Sequence, residues 1–393
     1  MQKTLILALL VIAIIGISRR YQTELNNLIT RDTPSASISP SPSSTGVTGT
    51  PSSSQSLEVT KIQNLGDGAR MDWSHSGNNL IAFDKLESDG FYDIYAMKPD
   101  ETEKRCLTCN HANLPNRHIG QPAWHPSGNY IVFQAEKANH ESNIATKLTT
   151  MPGSGVYNDL WIMTSNGKDV FQLTNLPNSA GYGVLHPHFS DDGRKLSWSE
   201  LYEPGNIFTR GRQLGSWKIK VADFAVRSGT PVLENIKEYQ PGDPVFYENH
   251  GFSSDSKKLI FTSNLKNENF VGTTTNIYTL ELATQKLTQL TTLGYNEHAI
   301  YSPKGDYILW MTDHQNTSGT DYWIMKPDGS AKKRITFFNV PSHPHYWGKK
   351  VVASDSSWSP DGKQAVIRLR EGSPLSASAE LENILLLTFG SAI

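Results

Sequence analysis

The sequence predicts an all-β chain whose body is one closed ring of six four-stranded units. Three observations carry this. A short pattern recurs six times: an aromatic residue, a tight turn such as Ser-Pro-Asp-Gly, an apolar strand, a strand containing Ile-Tyr or Trp-Ile, and an ending near Leu-Thr. Its aromatic anchors, Trp73, Trp124, Phe189, Phe252, Tyr301 and Trp358, stand 51, 65, 63, 49 and 57 residues apart. Blades of a β-propeller repeat at about 40–50 residues, so the excess is expected in loops. Finally, the last copy lacks its closing strand, while an orphan strand precedes the first copy. A six-bladed β-propeller closed by that N-terminal strand satisfies all three, because closure removes exposed sheet edges.

The elements follow in chain order. Lys3, the apolar run Leu5 to Ile17 and the pair Arg19-Arg20 make residues 1–20 a signal peptide or a membrane anchor. The run has the length of a signal-peptide core and falls short of the ~20 residues of a membrane span. Small residues at Gly16-Ile17-Ser18 suit cleavage, and the basic pair after them suits an uncleaved anchor. Residues 21–56 form a Ser/Pro/Thr-rich flexible linker, a composition that cannot bury a core. Residues 57–393 are the propeller. The chain is thus expected to be exported, periplasmic or extracellular, and to meet the membrane through its N-terminal segment only.

The second copy sets the template. Gln121–Trp124 is strand a, and His125-Pro126-Ser127-Gly128 is a turn in which Pro supplies a fixed φ and Gly a positive one. Tyr130–Ala135, Leu160–Met163 and Val170–Thr174 are strands b, c and d. The same order recurs in Leu80–Phe83, Tyr92–Met97 and Cys106–Thr108. It recurs in Leu259–Thr262, Asn276–Leu282 and Leu287–Thr291, and again in Tyr307–Met311, Tyr322–Met325 and Arg334–Thr336. β-branched and aromatic residues dominate these runs. In the last copy Asn383–Phe389 is strand c, and Leu57–Leu65 is the orphan that completes it.

These units resemble the PD40 (WD40-like) repeats of the TolB-type six-bladed β-propeller. The matching segments are Trp358-Ser-Pro-Asp-Gly-Lys363 and Trp323-Ile-Met-Lys-Pro-Asp-Gly329. The resemblance spans residues ~57 to ~389 and implies the fold; such folds host many activities. TolB carries an α/β domain before its propeller, where this chain has a Ser/Pro linker.

The two cysteines form Cys106-Leu-Thr-Cys109 at the end of the first repeat. One CxxC pair is half a zinc site. Export would permit a disulfide between them, and two free thiols are the alternative. Net charge is −2, so no nucleic-acid partner is expected. The sequence holds no HExxH, P-loop, GxGxxG or G-x-S-x-G motif, which removes the function classes those motifs serve. Asn316-Thr317-Ser318 fits a glycosylation acceptor.

Function is sought where the copies differ. The long connections join strands b and c: Glu136–Tyr157, Glu200–Gly215, Asn264–Thr275 and Glu371–Ala379. In a four-stranded blade they share a face with the starts of strand a, and long loops on a rigid scaffold carry function. Three residues before each anchor stand Arg70, Gln121, His186, Asn249, His298 and Asp355. All six are polar at the start of an apolar strand, so they are expected to meet at the channel mouth as a ligand-binding ring. His188, His250, Glu297, His343 and His345 lie near them in sequence.

Three functions compete for this ring. The first is a binding or scaffolding propeller that recognises a glycan, a peptide or a cell-envelope protein through its loop-rich face. The second is a metal site of manganese, zinc or calcium. Oligogalacturonate lyases have a similar propeller with manganese held by His and Gln in the channel, and His186, His298 and Gln121 are the matching residue types. That resemblance implies a metal-dependent polysaccharide lyase; an enzyme here needs a metal or general base near a substrate-binding arginine such as Arg70, Arg210 or Arg212. The third is a water-filled channel whose polar residues solvate its mouth.

Overall fold

The computed structural model describes residues 57–141, 144–206, 209, 211–265, 274–314, 319–372 and 382–391. The leader, the linker, Arg210 and Asn316 lie outside them. Among the described residues no helix is long and apolar enough to cross a membrane.

Six antiparallel four-stranded sheets follow one another along the chain. After β1 (Val59–Asp67), blade 1 comprises β2 (Met71–Trp73), β3 (Ile81–Leu86), β4 (Tyr92–Met97) and β5 (Arg105–Cys106). Blade 2 comprises β6 (Ile119–Trp124), β7 (Tyr130–Glu136), β8 (Asn158–Thr164) and β9 (Val170–Gln172). Blade 3 comprises β10 (Gly183–Phe189), β11 (Lys195–Glu203), β12 (Ser216–Arg227) and β13 (Thr230–Tyr239). Blade 4 comprises β14 (Tyr247–Phe252), β15 (Lys258–Ser263), β16 (Asn276–Glu281) and β17 (Leu287–Gln289). Blade 5 comprises β18 (Asn296–Tyr301), β19 (Ile308–Thr312), β20 (Asp321–Met325) and β21 (Lys333–Arg334). Blade 6 comprises β22 (Val351–Trp358), β23 (Gln364–Glu371) and β24 (Glu382–Phe389), and β1 supplies its outer strand. Val59 pairs with Phe389 and Asp67 with Asn383. The closing strand expected at Leu57–Leu65 is therefore in place, and the fold is the six-bladed propeller that the repeats imply.

Side chains of one strand alternate between two neighbours, as the two-residue period of a strand requires. Ile81 and Phe83 pack toward blade 6, while Leu80 and Ala82 pack toward blade 2. Each of the six junctions between blades holds its own apolar cluster. Both faces of the inner strands are thus buried, which is why they read as nearly unbroken apolar runs.

The recurring Leu-Thr also has a cause. The Thr174 hydroxyl accepts the Leu160 N–H at 2.9 Å and donates to Asp159 at 3.0 Å. Thr108 does the same with Ile94 and Asp93, Thr291 with Ile277 and Asn276, and Thr336 with Tyr322 and Asp321. One hydroxyl continues the ladder where the short outer strand ends.

Two expectations need correction. The excess length of blade 3 is not confined to a loop. β12 and β13 are 12 and 10 residues long, joined at Ser228-Gly229, both with positive φ (49° and 84°), as a tight hairpin turn demands. The Glu136–Tyr157 connection is not wholly irregular either, since it contains the helix α1 (Ile144–Thr150).

Cys106 and Cys109 are joined in a disulfide, which decides between the two alternatives left by the sequence.

Candidate functional site

Strand a of blades 2 to 6 carries a β-bulge, where two residues oppose one on strand b. A bulge disrupts pairing and re-aims a side chain. Gln121, His186 and His298 open three of these bulges with φ of 51°, 48° and 51°. Non-glycine residues rarely adopt that conformation. It turns each of these side chains out of the sheet and into the channel.

The bulge of blade 4 is displaced by one residue. Asn249 still pairs with Phe261, and the extra residues are His250 and Gly251. Gly251 has φ of 91°, and a Cβ there would approach that of His188 to 3.1 Å. The consequence is an exchange of roles. His250 faces the channel. Asn249 is fully buried, donates to the His186 carbonyl at 2.8 Å and accepts from the Gly251 N–H. Asn249 therefore does not join the channel ring and instead holds the backbone of His186. The one sequence sign of this shift is glycine immediately before an aromatic anchor.

The channel mouth is a cavity of about 30 Å³, room for two or three water-sized groups. Arg70, Gln121, His186, His298 and Asp355 line it, together with His188 and His250. Five of the six ring positions thus meet. His343 and His345 do not. In the blade 5–6 connection His343 stacks on Phe337 and His345 packs edge-on against His343. Arg212 pairs with Glu203 at 3.2 Å, apart from the cavity lining.

His186, His250 and His298 form a triangle with ring centroids 5.4–5.5 Å apart. One nitrogen of each lies within 4.8 Å of the other two. His186 Nε2 is 2.8 Å from Gln121 Nε2 and 2.8 Å from Glu248 Oε1. Gln121 Oε1 accepts the His186 N–H at 3.0 Å, so its oxygen is committed to the backbone. His250 Nε2 lies 2.8 Å from the Thr262 hydroxyl and 3.8 Å from Glu248 Oε2. That Oε2 is buried with no hydrogen-bond partner. Glu248 faces Glu297, which in turn accepts the Tyr295 hydroxyl proton.

The other wall is ionic. Arg70 donates from Nε and Nη2 to both oxygens of Asp84 at 2.7 and 2.8 Å, and stacks over Tyr92. Arg368 bridges Asp355, at 3.2 Å, and Glu382. His298 sits between Asp355 at 3.7 Å and Glu297 at 3.4 Å.

Protonation follows from these surroundings. Burial lowers His186 and His188 to about 3, and holds His250 well below its ordinary value. Burial also opposes charge on His298, but Asp355 and Glu297 outweigh it and raise this imidazole to about 9. Burial, then the neighbouring Glu297, pushes Glu248 well above the carboxylate range. Asp355 is lowered, because His298 and Arg368 overcome its burial.

No protein-family model matches this sequence, and no curated protein matches it. Among solved structures, a luciferin-regenerating enzyme is 11% identical, with 84% of this chain and 97% of that one aligned at a TM-score of 0.51. TolB from Acinetobacter baumannii is 15% identical over 83% of this chain, with a TM-score of 0.47, and the match spans 64% of the TolB chain. Oligogalacturonate lyase in complex with manganese is 12% identical, with 86% of this chain and 96% of that one aligned at a TM-score of 0.47. Likeness at such identities is one of fold.

Proposed function

We propose that this chain is a metal-centred recognition head. A divalent transition-metal ion held by His186, His250 and His298 in the channel would bind the end of an oxygen-bearing ligand, and the surrounding loops would select the rest. The observation that carries this reading is the imidazole triangle, with three nitrogens within 4.8 Å of one another. Three protein nitrogens with room for a further ligand is a common arrangement at open metal centres.

The formal charges agree. With Glu248 neutral and His298 charged, the carboxylates of Asp84, Glu297, Asp355 and Glu382 still outnumber the cations Arg70, Arg368 and His298. Buried charge is costly unless paired, and a divalent cation offsets the acidic excess. The nitrogen-rich donor set suits zinc or manganese; calcium takes oxygen ligands. With Gln121 Oε1 bonded to backbone, His250 replaces it in the ligand set. The cavity admits an end group such as a carboxylate or hydroxyl. A glycan or peptide terminus displayed by a cell-envelope partner meets this description. Export to the periplasm or outside, with residues 1–20 as signal or anchor, belongs to the same proposal and rests on the leader composition.

The test is the metal content of the purified full chain by elemental mass spectrometry, before and after supply of manganese and zinc. About one ion per chain, lost in H186A and H298A, is expected. A metal-free protein under both conditions overturns the reading.

A second reading is a metal-dependent polysaccharide lyase. It is favoured by the run Glu248–Glu297–Tyr295, which sets proton-carrying groups beside the triangle. Release of unsaturated products from polygalacturonate by the metal-loaded chain would support it. Intact polymer would leave recognition alone.

A further inference from the structure

We propose that blade 1 carries a second metal site, formed by Asp93, Cys106 and Cys109 once their disulfide is reduced. At the start of strand c a carboxylate or amide accepts the recurring threonine hydroxyl: Asp93, Asp159, Asn276 and Asp321 in blades 1, 2, 4 and 5. Where this group is a carboxylate, its second oxygen is capped by the residue two before the threonine. Gln172 donates to Asp159 Oδ2 at 3.2 Å, and Arg334 to Asp321 Oδ2 at 2.6 Å. In blade 4 the group is the uncharged Asn276, and Gln289 bonds the Thr291 carbonyl instead.

Blade 1 breaks this rule. Asp93 is a carboxylate, yet Cys106 occupies the capping position. Asp93 Oδ1 accepts the Thr108 hydroxyl at 2.6 Å, and its Oδ2 has no partner among the described residues. Two sulfurs stand where a cation or an amide stands elsewhere, and one ligand atom from each of Asp93, Cys106 and Cys109 lies within 4.8 Å of the other two. All three residues are half-buried, so solvent reaches the site. A metal ion would supply the missing cap.

The chemistry balances. A thiolate of a dithiol reductant attacks the Sγ–Sγ bond and forms a mixed disulfide; its second thiol then displaces the remaining cysteine. Two electrons and two protons pass to Cys106 and Cys109, and the reductant leaves as a disulfide. A divalent metal displaces both thiol protons and takes one carboxylate oxygen, leaving its fourth position to water. Two thiolates and one carboxylate suit a borderline-soft ion such as zinc.

Cobalt(II) is the probe, because sulfur ligation gives a thiolate-to-cobalt charge-transfer absorption that the sulfur-free channel site cannot give. Cys106 and Cys109 are the only cysteines. The full chain is reduced with dithiothreitol, freed of it anaerobically and titrated with cobalt(II), then with competing zinc. The expected result is a charge-transfer band in the reduced chain and none in the oxidised one. C106S/C109S should abolish the band, and D93N should weaken cobalt binding at least ~10-fold with both thiols still titratable. No band in a reduced chain that keeps its far-UV circular dichroism overturns the proposal. So does unaltered affinity in D93N. Loss of the fold on reduction, with no recovery on adding zinc, also overturns it and leaves the disulfide as a structural link.

Discussion

Ser357 of blade 6 donates its hydroxyl to Asp72 of blade 1 at 2.8 Å, across the junction where the ring closes. The same Ser357 oxygen accepts the Trp73 N–H at 2.9 Å. Asp72 also accepts the Trp124 N–H at 2.6 Å. One half-buried carboxylate therefore ties blades 6, 1 and 2.

Replacing Ser357 with Ala removes a donor to Asp72 and leaves the Trp73 N–H unpaired. A loss of roughly 1–3 kcal/mol is expected. Urea unfolding should show a lower midpoint with an unchanged slope. An unchanged midpoint would show that water fills the gap.

Asn249 and His250 are neighbours with opposite roles, and their variants should separate. H250A is expected to lower zinc or manganese affinity at least ~10-fold, since it removes a proposed ligand. N249A should cost about 1–3 kcal/mol of stability, because it orphans the His186 carbonyl. Calorimetric metal titration and thermal unfolding of both variants check this pair. Equal metal affinity in H250A and the parent chain contradicts the assignment.

The Thr174 hydroxyl serves both Leu160 and Asp159. T174V keeps the shape and removes both bonds. A loss of about 1–3 kcal/mol is expected, while T174S should retain most of the stability. Denaturant unfolding of the two variants is the measurement.

His118 is buried, accepts the Tyr92 N–H at Nδ1 and has no partner for Nε2. Burial, reinforced by Lys147 and Arg70, lowers it from 6.5 to about 3. The unfolded chain thus binds a proton here that the folded chain refuses. Its contribution to stability is complete above pH 6.5 and is lost as pH falls toward 3. Asn at this position keeps an acceptor and cannot charge. H118N should therefore flatten part of the fall in melting temperature between pH 7 and pH 4, roughly the window in which histidines titrate. An unchanged slope would place acid sensitivity in other groups.

The blades were legible because propeller strands bury both faces and end on turns with strong residue preferences. Strand c of blade 1, Tyr92–Met97, has the boundaries expected from sequence. The β12–β13 hairpin was not read, because Ser228-Gly229 is a weaker turn sign than Asn-Gly, and the strands around it carry charged exposed faces. Counting back from each aromatic anchor found five cavity-lining residues. It failed at Asn249 because the blade 4 bulge falls at His250 and Gly251, one residue later than in blades 2, 3 and 5. Glu248 could not be found this way. It reaches the imidazoles from a position the count does not visit, and only folding brings it beside His186.

The pairing of β1 with β24 gives the ring an order of assembly. Thr60 and Thr388, bonded across this seam, are 328 residues apart in the chain. On the ribosome the first strand of the propeller is made before any other, and its partner is made last. Blades 1 to 5 can form as each is completed, but the sixth must wait until β24 has been made. Until then β1 is an unpaired strand, open to mispairing with other nascent chains. Closure is thus the slow, long-range step. Covering residues 59–67 until β24 is made would suppress such mispairing.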